Sequence, residues 1–299
     1  MEFILDLMLV ACYFQFIPIK QSMADKKKTI QSFPPLDTVC KKRFPFTLAC
    51  PSFVYPAGYL DNVRHLAPFV DEIELLFFES RFRDSLPSPN LIRELGQQAR
   101  SGRITYNVHL PTDVYLGHRD ASVRQTAVDV LRQLIDRCAP LNPTTFTLHI
   151  IRDPSEPDHR RWQANSAASL EAVLATGVPS RRIGVENLDY DIERVAPVID
   201  GLNLSVCMDM GHLMAHGVDM TTFLDRWTER ISITHLHGVD GAQDHLPLNR
   251  LTPAHMEKVM RVLNRFSGVV SLEVFSAPAL NASMAHLFDQ WFRLKAEDV

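Results

Sequence analysis

The segment Ser205–His212, Ser-Val-Cys-Met-Asp-Met-Gly-His, joins a short apolar run to two residues that could bind a metal ion. Such a run, bounded by a turn residue, is typical of a buried strand. Asp209 and His212 lie three residues apart where the run ends, and a carboxylate and an imidazole placed in this way could reach one ion. Aspartate near glycine is also common in turns, so this segment alone does not establish a metal site.

Several other apolar runs also end in residues that could ligate a metal. From the third predicted strand onwards, residues of this kind lie at the ends of the runs or in the loop after the seventh run. They are His109, His149, Glu186, Asp209, His212, His235, His237, His245 and Glu273. A single histidine of this kind is usually an ordinary core residue. Buried carboxylates and imidazoles in this number are costly unless they are paired or bound to metal, so the set predicts a metal centre.

Mixed imidazole and carboxylate ligands indicate the chemistry of this centre. They suit divalent zinc, with manganese or iron as alternatives, and they differ from the thiolates of structural zinc sites. Two or more neighbouring ions need a bridging carboxylate, for which Glu186 is the natural candidate. Such clusters fit phosphoester hydrolysis, because the ions activate water and stabilise the attacking and leaving oxygens. His235 and His237 point to the same side of a strand, so either both line the barrel interior or one supports the other.

The elements that must position these residues alternate between apolar runs and amphipathic stretches from Phe44 onwards. The predicted strands are Phe46–Cys50, Glu72–Phe78, Ile104–His109, Thr145–Ile150, Arg182–Glu186, Leu204–Met208, Ile231–His237 and Val269–Phe275. The predicted helices are Gly58–Leu66, Pro89–Arg100, Ala121–Cys138, Arg160–Ala175, Asp219–Trp227, Pro253–Phe266 and Ala282–Leu294. Eight strands alternating with helices over about 250 residues predict a single-domain (β/α)8 TIM barrel, with its active site at the carboxyl ends of the strands. An open doubly wound sheet is the main alternative, but the sequence has no glycine-rich phosphate loop.

Composition narrows the class of protein. The 299 residues are 46% hydrophobic and 22% charged, as in ordinary soluble globular proteins. The formal net charge of -4 provides no general attraction to nucleic acid, which usually needs a basic surface. Five cysteines, an odd number without paired metal-ligand spacing, fit a reducing compartment. We therefore expect a cytoplasmic protein that acts on a small molecule, without a nucleic-acid partner and without stable membrane association.

The first 43 residues differ from the rest, and we expect them to form an N-terminal extension to a barrel that occupies residues 44–299. Phe3–Ile19 is apolar but contains Asp6, and its positive charges follow it at Lys26–Lys28. A signal peptide carries its charge before the apolar stretch, and a membrane-spanning helix of this length would be marginal. We favour translation from Met23 followed by a flexible leader that ends at Arg43. A membrane-associated segment is the alternative.

Four motifs resemble the xylose-isomerase-like barrel superfamily, which includes the apurinic endonuclease IV group. They are His-Leu-Pro at His109, Val-Glu-Asn at Glu186, Asp-Met-Gly-His at Asp209 and His-Leu-His-Gly at His235. The resemblance extends from about Phe44 to the C-terminus and implies a site for three metal ions. The implied ligands are His109, His149 and Glu186 for the first ion, Glu186, Asp209, His235 and Glu273 for the second, and His212 and His245 for the third.

This chain departs from the endonuclease pattern around the third ion. Those endonucleases place an aspartate two residues before the loop histidine, where this chain has Gln243, although Asp244 and Asp240 are near in sequence. Their Gly-Glu-Gly after that histidine is replaced by Leu248-Asn249-Arg250-Leu251. Both departures leave open which carboxylate, if any, completes the third site.

Within the superfamily, the chain resembles the cobamide-remodelling phosphodiesterases most. The segments that carry this resemblance are Ser52–Pro56, Asn62–Pro68, Glu72–Leu75 and Asp244–Leu248. The resemblance implies hydrolysis of the nucleotide-loop phosphoester of a vitamin B12-type corrinoid, which gives cobinamide phosphate and an α-riboside of the lower-ligand base. A sugar isomerase or epimerase, an apurinic endonuclease and a non-catalytic corrinoid carrier are the alternatives.

The phosphodiesterase hypothesis assigns roles to further residues. Among the catalytic residues, Glu186 bridges the ions, while Glu273 together with Asp209 compensates ion charge. His237 and Glu74 are candidates for supporting or general acid–base roles. Tyr55 and Tyr115 are candidates for substrate binding through packing on the corrin ring or the base. An isomerase would need only one ion, held by Glu186, Asp209, His235 and Glu273. An endonuclease would need a basic face that binds duplex DNA.

Overall fold

Eight parallel strands close into a barrel in the computed structural model of the protein, which describes residues 33–77, 80, 86–154, 156–241 and 243–297. The strands are β1 (Thr47–Pro51), β2 (Glu72–Leu76), β3 (Thr105–His109), β4 (Phe146–Leu148), β5 (Ile183–Glu186), β6 (Ser205–Asp209), β7 (Ile231–Leu236), β8 (Gly238–Asp240), β9 (Gln243–Leu246) and β10 (Val269–Leu272). β1 to β7 follow one another around the barrel, and β10 closes it between β7 and β1. β8 and β9 form a separate antiparallel hairpin, which the sequence did not predict. The predicted (β/α)8 barrel is confirmed, and each barrel strand overlaps its predicted position.

Helices connect the strands. They are α1 (Tyr59–Leu66), α2 (Pro89–Gly102), α3 (Ala121–Cys138), α4 (His159–Leu174), α5 (Ala196–Gly201), α6 (Met210–Ala215), α7 (Met220–Trp227), α8 (Pro253–Leu263) and α9 (Ala277–Glu297). Ser, Asp or Thr side chains accept backbone N–H groups at the starts of α2, α3, α4, α7 and α8, as capping requires. The sequence did not predict α5 and α6, because six residues are too few for a periodic apolar pattern.

An apolar cluster fills the space between the strands and the helices. The side chains of Trp162, Trp227 and Trp291 belong to it, and none of them is more than 2% exposed. Burial of side chains this large stabilises the barrel wall that holds the strand ends in place.

The amino-terminal end of the barrel contains a buried carboxylate that the sequence did not single out. Glu72 accepts hydrogen bonds from Thr105 Oγ1 at 2.5 Å, Asn107 Nδ2 at 2.9 Å and Thr144 Oγ1 at 2.7 Å. Burial raises the pKa of Glu72, while these three donors act in the opposite direction. The base of the barrel is therefore held by a satisfied hydrogen-bond network, and the candidate metal ligands lie at the opposite end.

The residues before β1 pack onto the barrel from Phe33 onwards. Leu36 and Cys40 are buried, and Lys41 Nζ donates to the carbonyl oxygens of Ala67 at 2.8 Å and Gly102 at 2.7 Å. Apolar side chains from this segment therefore join the core of the barrel, in the compact unit Phe33–Val299. The expected start at Met23 and the apolar stretch before it lie outside the described residues. Among the described residues, no helix is long and apolar enough to cross a membrane.

Asn62 holds the loop between β1 and α1. Its Oδ1 accepts the backbone N–H groups of Val54 at 3.2 Å and Tyr55 at 2.8 Å. Its Nδ2 donates to the carbonyl oxygens of Tyr55, Ala57 and Gly58 at 3.1 to 3.2 Å. One buried amide therefore fixes the course of a loop at the carboxyl end of the barrel, where the side chains of an active site are expected.

We expect Asn62→Ala to lower the free energy of unfolding by about 2–4 kcal/mol, because it leaves several buried backbone groups without partners. Urea denaturation followed by circular dichroism measures this change. Asn249→Ala, at an exposed position, is the matched control and should change stability by less than about 0.5 kcal/mol. A loss of similar size in both variants would contradict the proposed role of Asn62.

Candidate metal centre

Glu186 occupies the centre of the barrel mouth at the end of β5, and it is only 1% exposed. Its Oε2 lies 3.0 Å from His149 Nε2, 3.3 Å from His109 Nε2 and 3.5 Å from His235 Nδ1. Burial would raise the pKa of Glu186, but the His149 and His235 imidazoles outweigh it and hold the pKa well below the usual range. A buried carboxylate that stays ionised requires positive partners, which these rings or a metal ion supply.

Among the groups of candidate ligands that contain Glu186, two match the sets that the resemblance implied. One contains His109, His149 and Glu186, and the other contains Glu186, Asp209, His235 and Glu273. In each group, one ligand atom from every residue lies within 4.8 Å of the others. The structure therefore brings together the residues that the resemblance assigned to the first and second ions, with Glu186 in the bridging position.

A third group contains His212, His237 and His245. The resemblance implied His212 and His245, whereas His237 was expected to support other residues or to transfer protons. Its place beside them makes His237 a candidate ligand instead. Asp240 is exposed and pairs with Arg250 Nη2 at 2.8 Å, so it does not complete this group. Asp209 contacts this group from the neighbouring one, since its Oδ1 lies 3.2 Å from His237 Nε2 and its Oδ2 lies 3.4 Å from His212 Nδ1.

Backbone carbonyl groups orient three of the imidazoles. The Nδ1 atoms of His109, His212 and His245 lie 2.9 Å from Leu110 O, 3.0 Å from Asn187 O and 3.1 Å from Glu273 O. A neutral imidazole that donates from Nδ1 keeps a lone pair on Nε2, which is the usual arrangement of a metal-ligating histidine.

His235 is oriented in the opposite sense. Its Nε2 lies 3.1 Å from Glu74 Oε1, and its Nδ1 lies 3.3 Å from Glu273 Oε2. Ser271 Oγ donates to Glu74 Oε2 at 2.5 Å, which fixes the carboxylate on the barrel interior. Glu74 therefore lies where it can position the His235 ring, as expected from the sequence for a supporting residue.

Asn187 links the ends of β5 and β6. Its Oδ1 accepts the N–H of Asp209 at 2.8 Å, and its Nδ2 donates to the carbonyl of Asp209 at 3.0 Å. Asp209 Oδ1 in turn accepts the N–H of His212 at 2.7 Å and caps α6. No role was predicted for Asn187 from the sequence, although its place directly after Glu186 was a usable signal.

Buried polar atoms without hydrogen-bond partners test whether this site fits a metal. Among the described residues, Glu74 Oε1, Asp209 Oδ2, both ring nitrogens of His235 and His237 Nε2 have no aligned partner. Such atoms cost about 1–3 kcal/mol each when nothing satisfies them. Hydroxyl and amide groups elsewhere in the described residues include such atoms too, but these five lie together on imidazole and carboxylate groups, which fits divalent ions of the zinc type.

Tyr55, which the sequence suggested as a substrate-binding residue, is buried in the structure. Its side chain is only 3% exposed, and its hydroxyl donates to Pro34 O at 2.7 Å. Tyr55 thus anchors the segment before β1, and its predicted contact with substrate conflicts with this burial. Tyr115 is half-buried after β3, as a binding residue could be. Phe53, which was not singled out from the sequence, is 47% exposed on the β1–α1 loop.

A further pair lies on the loops after β3 and β4. His118 Nε2 is 3.6 Å from Asp153 Oδ2, and the backbone N–H of Asp120 donates to His118 Nδ1 at 2.9 Å. This bond leaves the ring proton on Nε2, directed towards Asp153. Neither residue was predicted from the sequence, because neither ends an apolar run.

Comparison with known proteins identifies the same architecture. Residues 70–293 match the model of the protein family described as xylose isomerase-like TIM barrel. No curated protein sequence matches the chain significantly.

Three solved structures illustrate the likeness. Endonuclease IV from Thermus thermophilus is 20% identical, with a TM-score of 0.63 over 83% of this chain and 99% of that one. A D-tagatose 3-epimerase-like protein is 17% identical, with a TM-score of 0.68 over 85% of this chain and 99% of that one. The IOLI protein, with a bound zinc atom, is 15% identical, with a TM-score of 0.63 over 82% of this chain and 97% of that one. Likeness at these identities shows a shared fold.

Gly211 leaves room for the His237 ring, since a Cβ at this position would lie 2.0 to 2.4 Å from three ring atoms. We expect Gly211→Ala to displace His237 and to lower metal affinity by about 10–100-fold. Titration of the metal-free protein with zinc measures the affinity. Gly201→Ala is the matched control, because a Cβ there meets nothing within 4 Å. Equal zinc affinity in both variants would contradict this account of Gly211.

The metal-free protein should lose stability as pH rises. Burial lowers the pKa of His212, but Asp209 and Glu186 outweigh it and raise the pKa to about 9 from the usual 6.5. The stability that this proton contributes is complete below pH 6.5 and is lost as pH passes about 9. In EDTA, we expect the melting temperature to fall over this range more in the wild type than in His212→Gln. Parallel pH profiles of the two proteins would contradict the assignment.

Proposed function

Because the chain belongs to the xylose isomerase-like TIM barrel family, whose members are isomerases, epimerases and endonucleases, we propose that it is a metal-dependent phosphodiesterase acting on a cobamide. The observation that carries the reaction type is the presence of three adjacent ligand groups at the barrel mouth. Clusters of neighbouring ions are typical of phosphoester hydrolysis, where both the attacking and the leaving oxygen need stabilisation.

The additional histidines favour hydrolysis over isomerisation. A sugar isomerase needs only the group of Glu186, Asp209, His235 and Glu273. In this chain His149 Nε2 lies 3.0 Å from Glu186 Oε2, and the centroid of its ring lies 5.0 Å from that of His109. A one-ion enzyme would have no use for this pair, since both histidines face the shared carboxylate rather than open space.

The residues of the metal centre have different roles in the proposed hydrolysis. Divalent ions, most suitably zinc, would supply Lewis-acid activation of water and compensation of phosphate charge when bound in these groups. Glu186 holds its two ligand groups together, while Asp209 and Glu273 add negative charge on one side of it. Glu74, 3.1 Å from His235 Nε2, keeps that ring turned so that Nδ1 faces Glu273. Burial of these groups excludes bulk water and strengthens their electrostatic interactions.

The proposed substrate rests on the resemblance to cobamide-remodelling phosphodiesterases and is supported by the loops at the barrel mouth. The Asn62–Pro68 segment contains the amide that fixes the β1–α1 loop, and this loop presents the exposed ring of Phe53. Phe53 and the half-buried Tyr115 offer aromatic surface for a corrin ring or a nucleotide base. Hydrolysis of the nucleotide-loop phosphoester would yield cobinamide phosphate and an α-riboside. The net charge of -4 gives less support to a duplex DNA substrate.

A substrate panel tests this function. The zinc-loaded full-length protein is incubated with adenosylcobalamin or pseudocobalamin, an abasic DNA duplex and several ketoses, and products are identified by mass spectrometry. We expect release of an α-riboside together with cobinamide phosphate. Nicking of the abasic strand or isomerisation of a ketose, with the corrinoid intact, would contradict the proposal.

His149→Ala separates the reaction types. Because His149 belongs only to the ligand group that an isomerase does not need, we expect the variant to lose phosphodiesterase kcat/KM by more than about 100-fold. His216→Ala is the matched control, since His216 is exposed beyond α6 and belongs to none of the groups. Full activity of His149→Ala would contradict multi-ion hydrolysis.

A further inference from the structure

We propose that Cys207, together with Glu186 and His235, forms a binding site for soft divalent ions of the cadmium type. One ligand atom from each of these three residues lies within 4.8 Å of the other two. The site lies deeper in the barrel than the oxygen-rich group, which is the group of Glu186, Asp209, His235 and Glu273. The inference goes beyond the proposed function, because it concerns the ions that these residues bind and needs no substrate. It can fail while phosphodiesterase activity is found, and the reverse is also true.

Cys207 faces the interior of the barrel. It lies on β6 two residues before Asp209, and side chains two residues apart on a strand point to the same side. The strand register aligns Cys207 with Glu186 on β5, and it aligns Asp209 with His235 on β7. Since a strand rises about 3.3 Å per residue, Cys207 begins about 7 Å further from the mouth than Asp209. Its sulfur therefore approaches the carboxylate and the imidazole from inside the barrel.

The surroundings of Cys207 differ from those of an ordinary buried cysteine, which behaves as a small apolar side chain. Cys50 on β1 is of the ordinary kind, because it packs in the main apolar cluster and belongs to none of the ligand groups among the described residues. Cys207 packs instead in a separate small cluster inside the barrel, with Ala49, Ile233 and Val269. Apolar side chains thus cover one side of its sulfur, and candidate metal ligands lie on the other.

His235 also indicates that a ligand binds at this place. It is fully buried, and neither of its ring nitrogens has an aligned hydrogen-bond partner within the described part of the chain. A neighbouring thiol is a weak donor and a weak acceptor, so it satisfies such a nitrogen poorly. An ion bound between the sulfur and the ring satisfies both, and Glu186 Oε2, 3.5 Å from His235 Nδ1, lies close enough to complete the set.

The charges of this set balance a divalent ion. The Glu186 carboxylate and a Cys207 thiolate carry one negative charge each, and a neutral His235 adds none. When the sulfur binds the ion, its S–H bond breaks, a sulfur–metal bond forms and the proton passes to solvent. The oxygen-rich group has three carboxylates, so a divalent ion there leaves one negative charge uncompensated. Full burial therefore favours the set that contains Cys207.

The ligand types determine which ion uses Cys207. Thiolates select soft ions, whereas carboxylates suit harder ones. Zinc accepts both kinds of ligand, and the oxygen-rich group offers it four residues where the set with Cys207 offers three. We therefore expect zinc to stay in the oxygen-rich group and cadmium to use the sulfur. Because both positions share Glu186 and His235, cadmium bound at Cys207 should displace one zinc ion.

Ultraviolet absorption tests the proposal, because a cadmium–thiolate bond gives a charge-transfer band that carboxylate and imidazole ligands do not give. The metal-free full-length protein is titrated with cadmium. We expect the band to develop in the wild type, to be lost in Cys207→Ala and to be retained in Cys50→Ala, the matched control. Absence of the band from the wild type, or its full retention in Cys207→Ala, would overturn the proposal. The wild-type titration remains decisive if Cys207→Ala does not fold.

A comparison of two metals distinguishes a ligand from a structural support. We expect Cys207→Ala to lower cadmium affinity by at least about 10-fold, as loss of a metal-site residue typically does, and to leave zinc affinity unchanged. Competition of each metal with a chromophoric chelator measures both affinities without any substrate. An equal loss of affinity for zinc and cadmium would indicate a purely structural role for Cys207 and would overturn the assignment.

Discussion

The barrel mouth depends on one electrostatic constraint, the burial of the Glu186 carboxylate. A carboxylate that is 1% exposed stays ionised only if nearby groups or ions replace the lost hydration. Here three imidazoles from three other strands approach one of its oxygens within 3.5 Å. Removal of any of them would leave negative charge without compensation, and addition of more carboxylates would be unfavourable without metal. The second group nevertheless adds Asp209 and Glu273, so divalent ions provide the simplest physical account of the whole arrangement.

The fold meets this constraint through connections between neighbouring strand ends. Asn187 joins β5 to β6 through both its oxygen and its amide, and Asp209 both faces Glu186 and caps α6. Glu74 is held by Ser271 across the interior, and it reaches His235 from the strand on the far side of β1. At the other end of the barrel, Glu72 is satisfied by neutral donors alone. Buried carboxylates are therefore stabilised differently at the two ends of the barrel. Hydroxyl and amide donors surround the carboxylate at the amino-terminal end, and imidazoles surround those at the carboxyl-terminal end.

The sequence predicted the barrel and most of the mouth, because the evidence for both is local. Each barrel strand is an apolar run, and residues such as His109, Glu186 and Glu273 mark the places where these runs end. The course that the chain takes after each strand, and therefore the orientation of the loop side chains, was not predictable from the sequence. Tyr55 is turned inward by a loop that Asn62 fixes, and it contacts Pro34, while Phe53 two residues earlier is exposed. His237 joins His212 and His245 only because the β8–β9 hairpin folds back beside β7, and two short paired segments leave no periodic signal. The polar residues Glu72 and Asn187 were hidden within or directly after apolar runs.

The central claim is that Glu186 is shared by two metal-binding groups. Anomalous X-ray diffraction from crystals of the zinc-loaded protein, recorded on both sides of the zinc absorption edge, tests this most directly. We predict two separate anomalous peaks flanking the Glu186 carboxylate, one beside His109 and His149 and the other beside His235 and Glu273. A single peak within the group of Glu186, Asp209, His235 and Glu273, with none beside His109 and His149, would contradict the claim.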